Sequence, residues 1–202
     1  MNRRFLPCLL FTLCLASAAP AQTGRPARPA DSSSPAWLPR GAFLGTFIRN
    51  GAVMPQARLQ WQFVFFKGRT DTLGVLIEPI GSFALVKPDT LGEDADADLT
   101  QLQLYSLMFA VGYTSRRGTG LEWGFQLGTG PAWFRARFRN ASKAEESYWG
   151  GLLDGRARIG YRFGSVSLGL AVGYGDPYNY RSSSLARSYI GGLQLGFYAD
   201  WR

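Results

Sequence analysis

The sequence predicts an all-β fold, an antiparallel up-and-down β-barrel of about eight strands that crosses a membrane. Beyond Gly41, apolar residues alternate with polar or small residues over segments of about ten residues, the length of a tilted membrane strand. No stretch after Ala21 contains the roughly twenty consecutive apolar residues that a membrane-spanning helix needs. Short turn signals separate several of the alternating segments, as in a series of antiparallel hairpins.

The beginning of the chain has the pattern of a secretory signal peptide. Arg3 and Arg4 precede an apolar run at residues 5–15, and a group of small residues follows this run. We therefore assign residues 1–21 to a signal peptide and expect cleavage before Gln22.

The next segment predicts a flexible leader. Residues 22–40 contain four prolines and a run of serines at 32–34, a composition that cannot bury enough apolar surface to fold. The folded part is therefore expected to be a β-barrel at residues 41–202. Cys8 and Cys14 leave with the signal peptide, so no disulfide or thiolate site is expected in the exported protein.

The alternation assigns one face of each strand to lipid and the other face to the barrel interior. The clearest segment has an apolar face of Leu121, Trp123, Phe125 and Leu127 and an opposite face of Glu122, Gly124, Gln126 and Gly128. In the next segment the apolar face is Ala132, Phe134, Ala136 and Phe138, opposite Trp133, Arg135, Arg137 and Arg139. Period two also holds at 57–65, before Val64 and Phe66 break it, and in two further segments at 157–163 and 166–174. We expect each apolar face to point toward lipid.

Nine segments qualify as strands, one more than the favoured number. They are 42–49, 57–66, 72–86, 101–113, 121–128, 132–139, 150–163, 166–175 and 189–201. Turns are expected at 68–71, at Gly130-Pro131 and at Gly164-Ser165. Bacterial barrels have an even strand number, so either 42–49 is not a strand or Pro79 divides the third segment, which allows ten strands. We favour eight, because the folding part is short.

The last segment resembles the terminal strand of bacterial outer-membrane barrels. It alternates through Leu193, Leu195, Phe197, Ala199 and Trp201, although Arg202 stands where that family usually ends on an aromatic residue. With the signal peptide and the strand pattern, the chain from Gly41 onward is similar in architecture to small outer-membrane β-barrels of the OmpA/OmpX type. The resemblance implies an outer-membrane location, contact with outer-membrane lipid and lipopolysaccharide, and recognition of the C-terminal strand by the barrel assembly machinery.

Aromatic residues near the ends of the apolar faces predict a girdle at the membrane interface. These residues are Phe65, Phe138, Phe163, Tyr174 and Trp201. They favour a membrane barrel over a soluble exported ligand-binding barrel, whose apolar faces would point inward. The soluble barrel stays an alternative.

Charged residues on the faces opposite lipid predict a cluster in the barrel interior. The arginines are Arg58, Arg135, Arg137, Arg139, Arg156, Arg158 and Arg162, and the acids are Glu78, Glu122, Asp154 and Asp200. A narrow barrel has room for little more than side chains, so one interpretation is a network of ion pairs that plugs it. The other is an anion-attracting pore, because arginines outnumber acids.

The sequence disfavours an enzyme, a metal site and a nucleic-acid partner. It contains no histidine, so neither the usual base of a serine nucleophile nor the commonest nitrogen ligand of zinc is available. The acidic stretch 92–98 resembles a calcium loop, but Leu99 and Tyr105 stand where the motif needs glycine and glutamate. The formal net charge of +8 comes largely from arginines interleaved with apolar strand residues, unlike a basic nucleic-acid surface.

These observations predict a non-enzymatic outer-membrane barrel with a structural or surface-interaction role and no cofactor. Two alternatives stay open. One is a narrow channel for small anionic solutes, lined by the interior arginines, and the other is the soluble ligand-binding barrel.

Overall fold

A computed structural model describes residues 37–85, 99–116, 120–139, 145–178 and 188–201. The signal peptide, the leader up to residue 36 and the acidic stretch 92–98 lie outside the described residues. The strands are β1 Gly41–Arg49, β2 Ala52–Lys67, β3 Asp71–Leu85, β4 Leu99–Arg116, β5 Leu121–Phe138, β6 Glu146–Phe163, β7 Val166–Tyr178 and β8 Gly192–Trp201. Each strand pairs with its neighbours in sequence, and β1 closes the barrel against β8. The predicted antiparallel barrel of eight strands is confirmed.

The strand number is eight because two expected strands are one. Segments 121–128 and 132–139 form the single strand β5, so the turn expected at Gly130-Pro131 is wrong. The ladder from β5 to β6 continues through this dipeptide. The ladder from β5 to β4 lacks pairs there, as expected for a proline that has no N–H to donate. Neither alternative for an even count occurs, because 42–49 is a strand and Pro79 lies within an undivided β3.

The barrel turns an apolar face outward along every strand. In β5, Leu121, Trp123, Phe125 and Leu127 are exposed, whereas Glu122 and Gln126 are buried in the interior. A β-bulge between Val64 and Phe66 shifts the register of β2, which explains why the alternation is interrupted there. In the part of the chain that the structure describes, no helix has the length and hydrophobicity that crossing a membrane requires.

Short and long connections lie at opposite ends of the barrel. The lower end carries Gly41, Trp201 and the connections β2–β3, β4–β5 and β6–β7, which have three, four and two residues. The upper end carries the connections β3–β4, β5–β6 and β7–β8, which have 13, 7 and 13 residues. It also carries the two-residue turn Asn50-Gly51, whose φ angles of 47° and 79° are those of a tight hairpin turn.

The upper part of the interior is an apolar core. Its largest fully buried side chains are Phe47, Phe134, Met54, Leu99, Leu102, Leu104, Met108, Leu152 and Ile190. Tyr189 and Ile190 come from the segment before β8 and pack into this core. Arg49 and Asn50 hold that segment by donating hydrogen bonds to the carbonyls of Ile190 (3.1 Å) and Ser188 (2.7 Å).

We expect Val172→Arg to destabilise the barrel in a bilayer by about 2 to 4 kcal/mol, because it places a charge on the outward face midway along β7. The measurement is the free energy of unfolding in urea, in lipid vesicles. The matched control is Leu85→Arg. Leu85 faces outward at the upper end of β3, so this substitution should lower the free energy of unfolding by only about 0 to 1 kcal/mol. Equal losses in the two variants would contradict a lipid-facing exterior.

Candidate functional site

Four charged side chains from three strands meet at the centre of the barrel interior. Arg58 donates to Asp154 at 2.9 Å and lies 3.5 Å from Glu78. Arg156 donates through Nε to Asp154 at 3.0 Å and through Nη2 to Glu78. Each arginine therefore contacts both acids, and each acid contacts both arginines. We call these four residues the central quartet.

Side-chain amides of glutamines add hydrogen bonds to the ion pairs of the quartet. Gln60 and Gln126 donate to Oε1 of Glu78 at 2.8 and 2.9 Å. Arg58 donates to the side-chain oxygens of Gln56 at 2.8 Å and Gln194 at 2.6 Å, whereas its Nη1 has only the ion-pair contact with Glu78. These amides matter because hydrogen bonds to the remaining polar groups offset the cost of burying an ion pair.

The quartet is buried and formally neutral. None of its members is more than 6% exposed, and its two arginines balance its two acids. The guanidinium groups of Arg58 and Arg156 lie 5.4 and 5.1 Å from the centroid of the Phe43 ring, within cation–π range. The arrangement neutralises its charges internally and leaves no net charge at the centre to attract an ion.

A second group of ion pairs lies between the quartet and the lower end. Arg158 donates to Asp200 at 2.7 Å and also to the hydroxyl of Thr114. Arg116 donates to Glu122 at 2.9 Å, and Ser167 donates to the same carboxylate at 3.3 Å. Arg162 donates to the backbone carbonyl of Gly164 at 2.7 Å.

The structure brings together eight of the eleven charged residues that the sequence places in the interior. They are Arg58, Glu78, Glu122, Asp154, Arg156, Arg158, Arg162 and Asp200. Arg116 joins the same group although sequence reasoning missed it. The signal that could have found it is parity, since Arg116 lies two, six and eight positions after the buried Thr114, Ala110 and Met108, on the same face of β4.

The placement of Arg135, Arg137 and Arg139 in the interior is wrong. Arg135 and Arg137 lie on the outer surface near the upper end, where both contact Glu145, and Arg139 is exposed just beyond β5. The apolar residues between them, Phe134 and Ala136, face inward into the apolar core. The odd-numbered residues face outward along the whole of β5. In its upper part, however, these outward residues are polar and the inward residues are apolar.

The aromatic girdle is also corrected at one position. Phe65, Phe163 and Tyr174 are exposed on the outer surface, and Trp201 is partly exposed at the lower end. Phe138 instead packs against the apolar core, for the same reason as Phe134.

Aromatic side chains that the sequence reasoning did not select complete the girdle. Near the upper end, Tyr105 stacks on Trp133 with a centroid distance of 5.7 Å, and Trp149 pairs with Trp133 across β5 and β6. Near the lower end, Tyr113 contacts Trp123 at 5.6 Å. The outer surface therefore has an aromatic row at each end of its apolar band.

A small cavity lies in the described interior, beside the quartet. Its volume is about 20 Å³, and Phe43, Tyr198 and Ala171 are among the residues that border it. This volume holds about one water molecule. The described residues contain no group of three or more histidine, cysteine, aspartate or glutamate side chains placed to hold a metal ion.

A closed eight-stranded barrel with an apolar exterior and ion pairs in its interior is a small membrane β-barrel in architecture. No protein-family model matches the sequence, and no curated protein matches it. The chain is similar in fold to Neisserial surface protein A, with 11% identity, a TM-score of 0.50, and coverage of 80% of this chain and 94% of that chain. A second solved structure is Ail, the attachment invasion locus protein of Yersinia pestis, in complex with the heparin analogue sucrose octasulfate. Here the identity is 11%, the TM-score 0.45, and the coverage 80% of this chain and 93% of that chain.

The chain therefore has the fold of the small outer-membrane β-barrels, in agreement with the OmpA/OmpX-type architecture that the sequence resembles. At 11% identity the likeness concerns the path of the backbone.

We expect Arg156→Met to lower the free energy of unfolding by about 3 to 5 kcal/mol, because it leaves two buried acids facing one guanidinium. Glu78→Gln should cost a similar amount, since it leaves two arginines and one acid. The double variant keeps the neutral Arg58–Asp154 pair, so its loss should be smaller than the sum by at least about 1 kcal/mol. Urea unfolding in lipid vesicles measures all three.

The control for this cycle is Glu145→Gln, which removes an exposed carboxylate and should leave the unfolding midpoint nearly unchanged. Additive losses for Arg156→Met and Glu78→Gln would show that the quartet is not an interacting unit.

Proposed function

We propose that the protein is a non-enzymatic outer-membrane barrel with a closed interior and a structural or surface-interaction role. The observation that carries the proposal is the combination of an apolar exterior with an interior whose charges are paired with one another. Such an interior stabilises the barrel wall, because its paired charges are held by one another. Specificity then belongs to the upper end, where the long connections lie.

The chemistry of the interior supports the non-enzymatic role. The carboxylates of Glu78, Asp154, Glu122 and Asp200 all bind arginines. A general acid or base needs access to a substrate, and these groups lie inside the barrel, where the cavity beside Glu78 holds about one water molecule. The chain has no histidine to act in their place.

The charge balance argues against the anion channel. With Arg135, Arg137 and Arg139 on the outside, the arginines of the quartet and of the second group are Arg58, Arg116, Arg156, Arg158 and Arg162, against four acids. Within these two groups the single excess positive charge belongs to Arg162 near the lower end. Within the described residues, the upper part of the interior is lined mainly by apolar side chains, which cannot replace the hydration shell of an ion.

The orientation of the barrel follows from its connections. Barrels of this kind have short turns in the periplasm and longer loops outside, so we place the lower end in the periplasm. The upper outer surface then meets the lipopolysaccharide leaflet, and outer-membrane lipid covers the apolar band. We assign recognition by the assembly machinery to β8, whose outward residues include Phe197 and Trp201.

The purified protein should show no steady conductance in a planar bilayer, because the quartet and the apolar core occupy the interior. Insertion is verified on the same sample by a heat-dependent change of mobility on a gel. Anion-selective conductance that Arg156→Glu and Arg158→Glu convert to cation selectivity would support the channel instead.

On expression in a Gram-negative host, the protein should fractionate with the outer membrane and change its gel mobility on boiling. Phe197→Ala together with Trp201→Ala should reduce the assembled fraction several-fold in cells, while refolding of the purified variant into detergent should still proceed. Release of the parent protein from the periplasm without detergent would overturn the membrane location and favour the soluble barrel.

A further inference from the structure

A basic cluster lies on the outer surface just above the upper aromatic row. Arg135 and Arg137 follow Trp133 at intervals of two residues on the outward face of β5, and Arg139 is exposed immediately after the strand. We call Arg135, Arg137 and Arg139 the upper rim arginines. Nothing in the interior network uses them.

The position of the cluster corresponds to the depth of lipid headgroups. Trp133 stacks on Tyr105, pairs with Trp149, and donates its indole N–H to Ser147 at 2.8 Å, which is typical of an aromatic residue at a membrane interface. A tilted strand climbs about 5 Å for every two residues. The Cα atoms of Arg135 and Arg137 therefore lie about 5 and 10 Å above that of Trp133.

The surroundings of the cluster are polar, as headgroup contacts require. Gln103 and Ser147 pair with Arg135 from the neighbouring strands, and Gln101 pairs with Arg137. Within the described residues these outward neighbours carry no charge. The surface thus changes from apolar to polar and cationic within two residues of Trp133.

One acid is shared between two of the three arginines. Glu145 accepts from Arg135 at 2.8 Å and from Arg137 at 3.1 Å. Hydrogen bonding from Arg135 lowers the pKa of Glu145, so this carboxylate is ionised at neutral pH. The four residues together carry a formal charge of +2. The side chains of Arg135 and Arg137 remain 28% and 46% exposed, so they are accessible to a further anion.

We propose that the upper rim arginines form a binding site for the phosphate groups of a glycolipid in the surrounding membrane leaflet. Guanidinium groups bind phosphate through paired, charge-assisted hydrogen bonds. The acyl chains of such a lipid would lie along the apolar band below Trp133, so the headgroup and the chains are held together. The membrane lipid is favoured over a soluble anion because the site lies beside lipid on the outer wall. This inference rests on the outer-membrane location under Proposed function.

Removing the Glu145 carboxylate should change the affinity for phosphate in the opposite direction to removing the arginines. Because it occupies part of the hydrogen-bonding capacity of Arg135 and Arg137, it competes with phosphate for them. Its removal should strengthen binding, whereas a purely structural role for the three side chains would make every substitution weaken it.

The experiment is a titration of lipid A into neutral phosphatidylcholine bicelles that contain the folded full-length mature chain, followed by NMR of the arginine Nε–Hε groups. Arg135→Gln with Arg137→Gln should weaken lipid A binding about tenfold. Glu145→Gln should tighten it severalfold. Arg69→Gln, an exposed arginine at the lower end, is the matched control and should leave it unchanged.

Each other outcome overturns the inference. The site is excluded if Arg135→Gln with Arg137→Gln binds lipid A as tightly as the parent does. It is also excluded if Glu145→Gln binds lipid A more weakly than the parent does. Equal affinity of the parent for lipid A and for inorganic phosphate excludes the membrane lipid as the ligand. A parent protein that does not enter bicelles overturns the proposed function as well, whereas normal insertion with unchanged binding overturns this inference alone.

Discussion

The closed ladder between β1 and β8 is the constraint on which the rest of the structure depends. In lipid an unpaired backbone N–H or C=O group costs several kcal/mol, so a sheet can cross a membrane only when it has no edge. Closure gives the sheet one outer and one inner face, and strand alternation sends every second side chain to each. The residues that cannot face lipid therefore meet in one narrow interior, whatever their position in the chain.

An interior formed in this way must balance its own charges. Arg58 and Arg156 would be costly to bury singly, but each contacts both Glu78 and Asp154, which come from distant parts of the sequence. The large side chains of the two arginines also need space in the narrow interior. A Cβ at Gly173 would lie 2.5 Å from Cγ of Arg156, so the absence of a side chain on β7 makes room for the arginine. Small residues and large cations are thus matched across the barrel.

The lower and upper parts of the barrel distribute polar and apolar side chains differently between the outside and the inside. Below the level of Trp133 the outside is apolar and the inside polar, because lipid is the solvent. Above it the outside carries Arg135 and Arg137 while Phe134 and Leu104 pack inside, as in a soluble protein. The upper end is therefore both a sealed core and a charged surface. The proposed closed barrel and the proposed glycolipid site both follow from the change from lipid to water along the barrel axis.

The sequence by itself determined the all-β class, the alternation and the inward position of residues such as Glu122 and Arg158, because period two is a local property of extended chain. It did not separate β5 into its membrane and outer parts. A run such as Ala132 to Arg139 alternates equally well in either solvent, and only the pairing of β5 with β4 and β6 decides which face is inside. The partners within the quartet were likewise decided by the tertiary structure, since closure and register bring side chains from β2, β3 and β6 to one point.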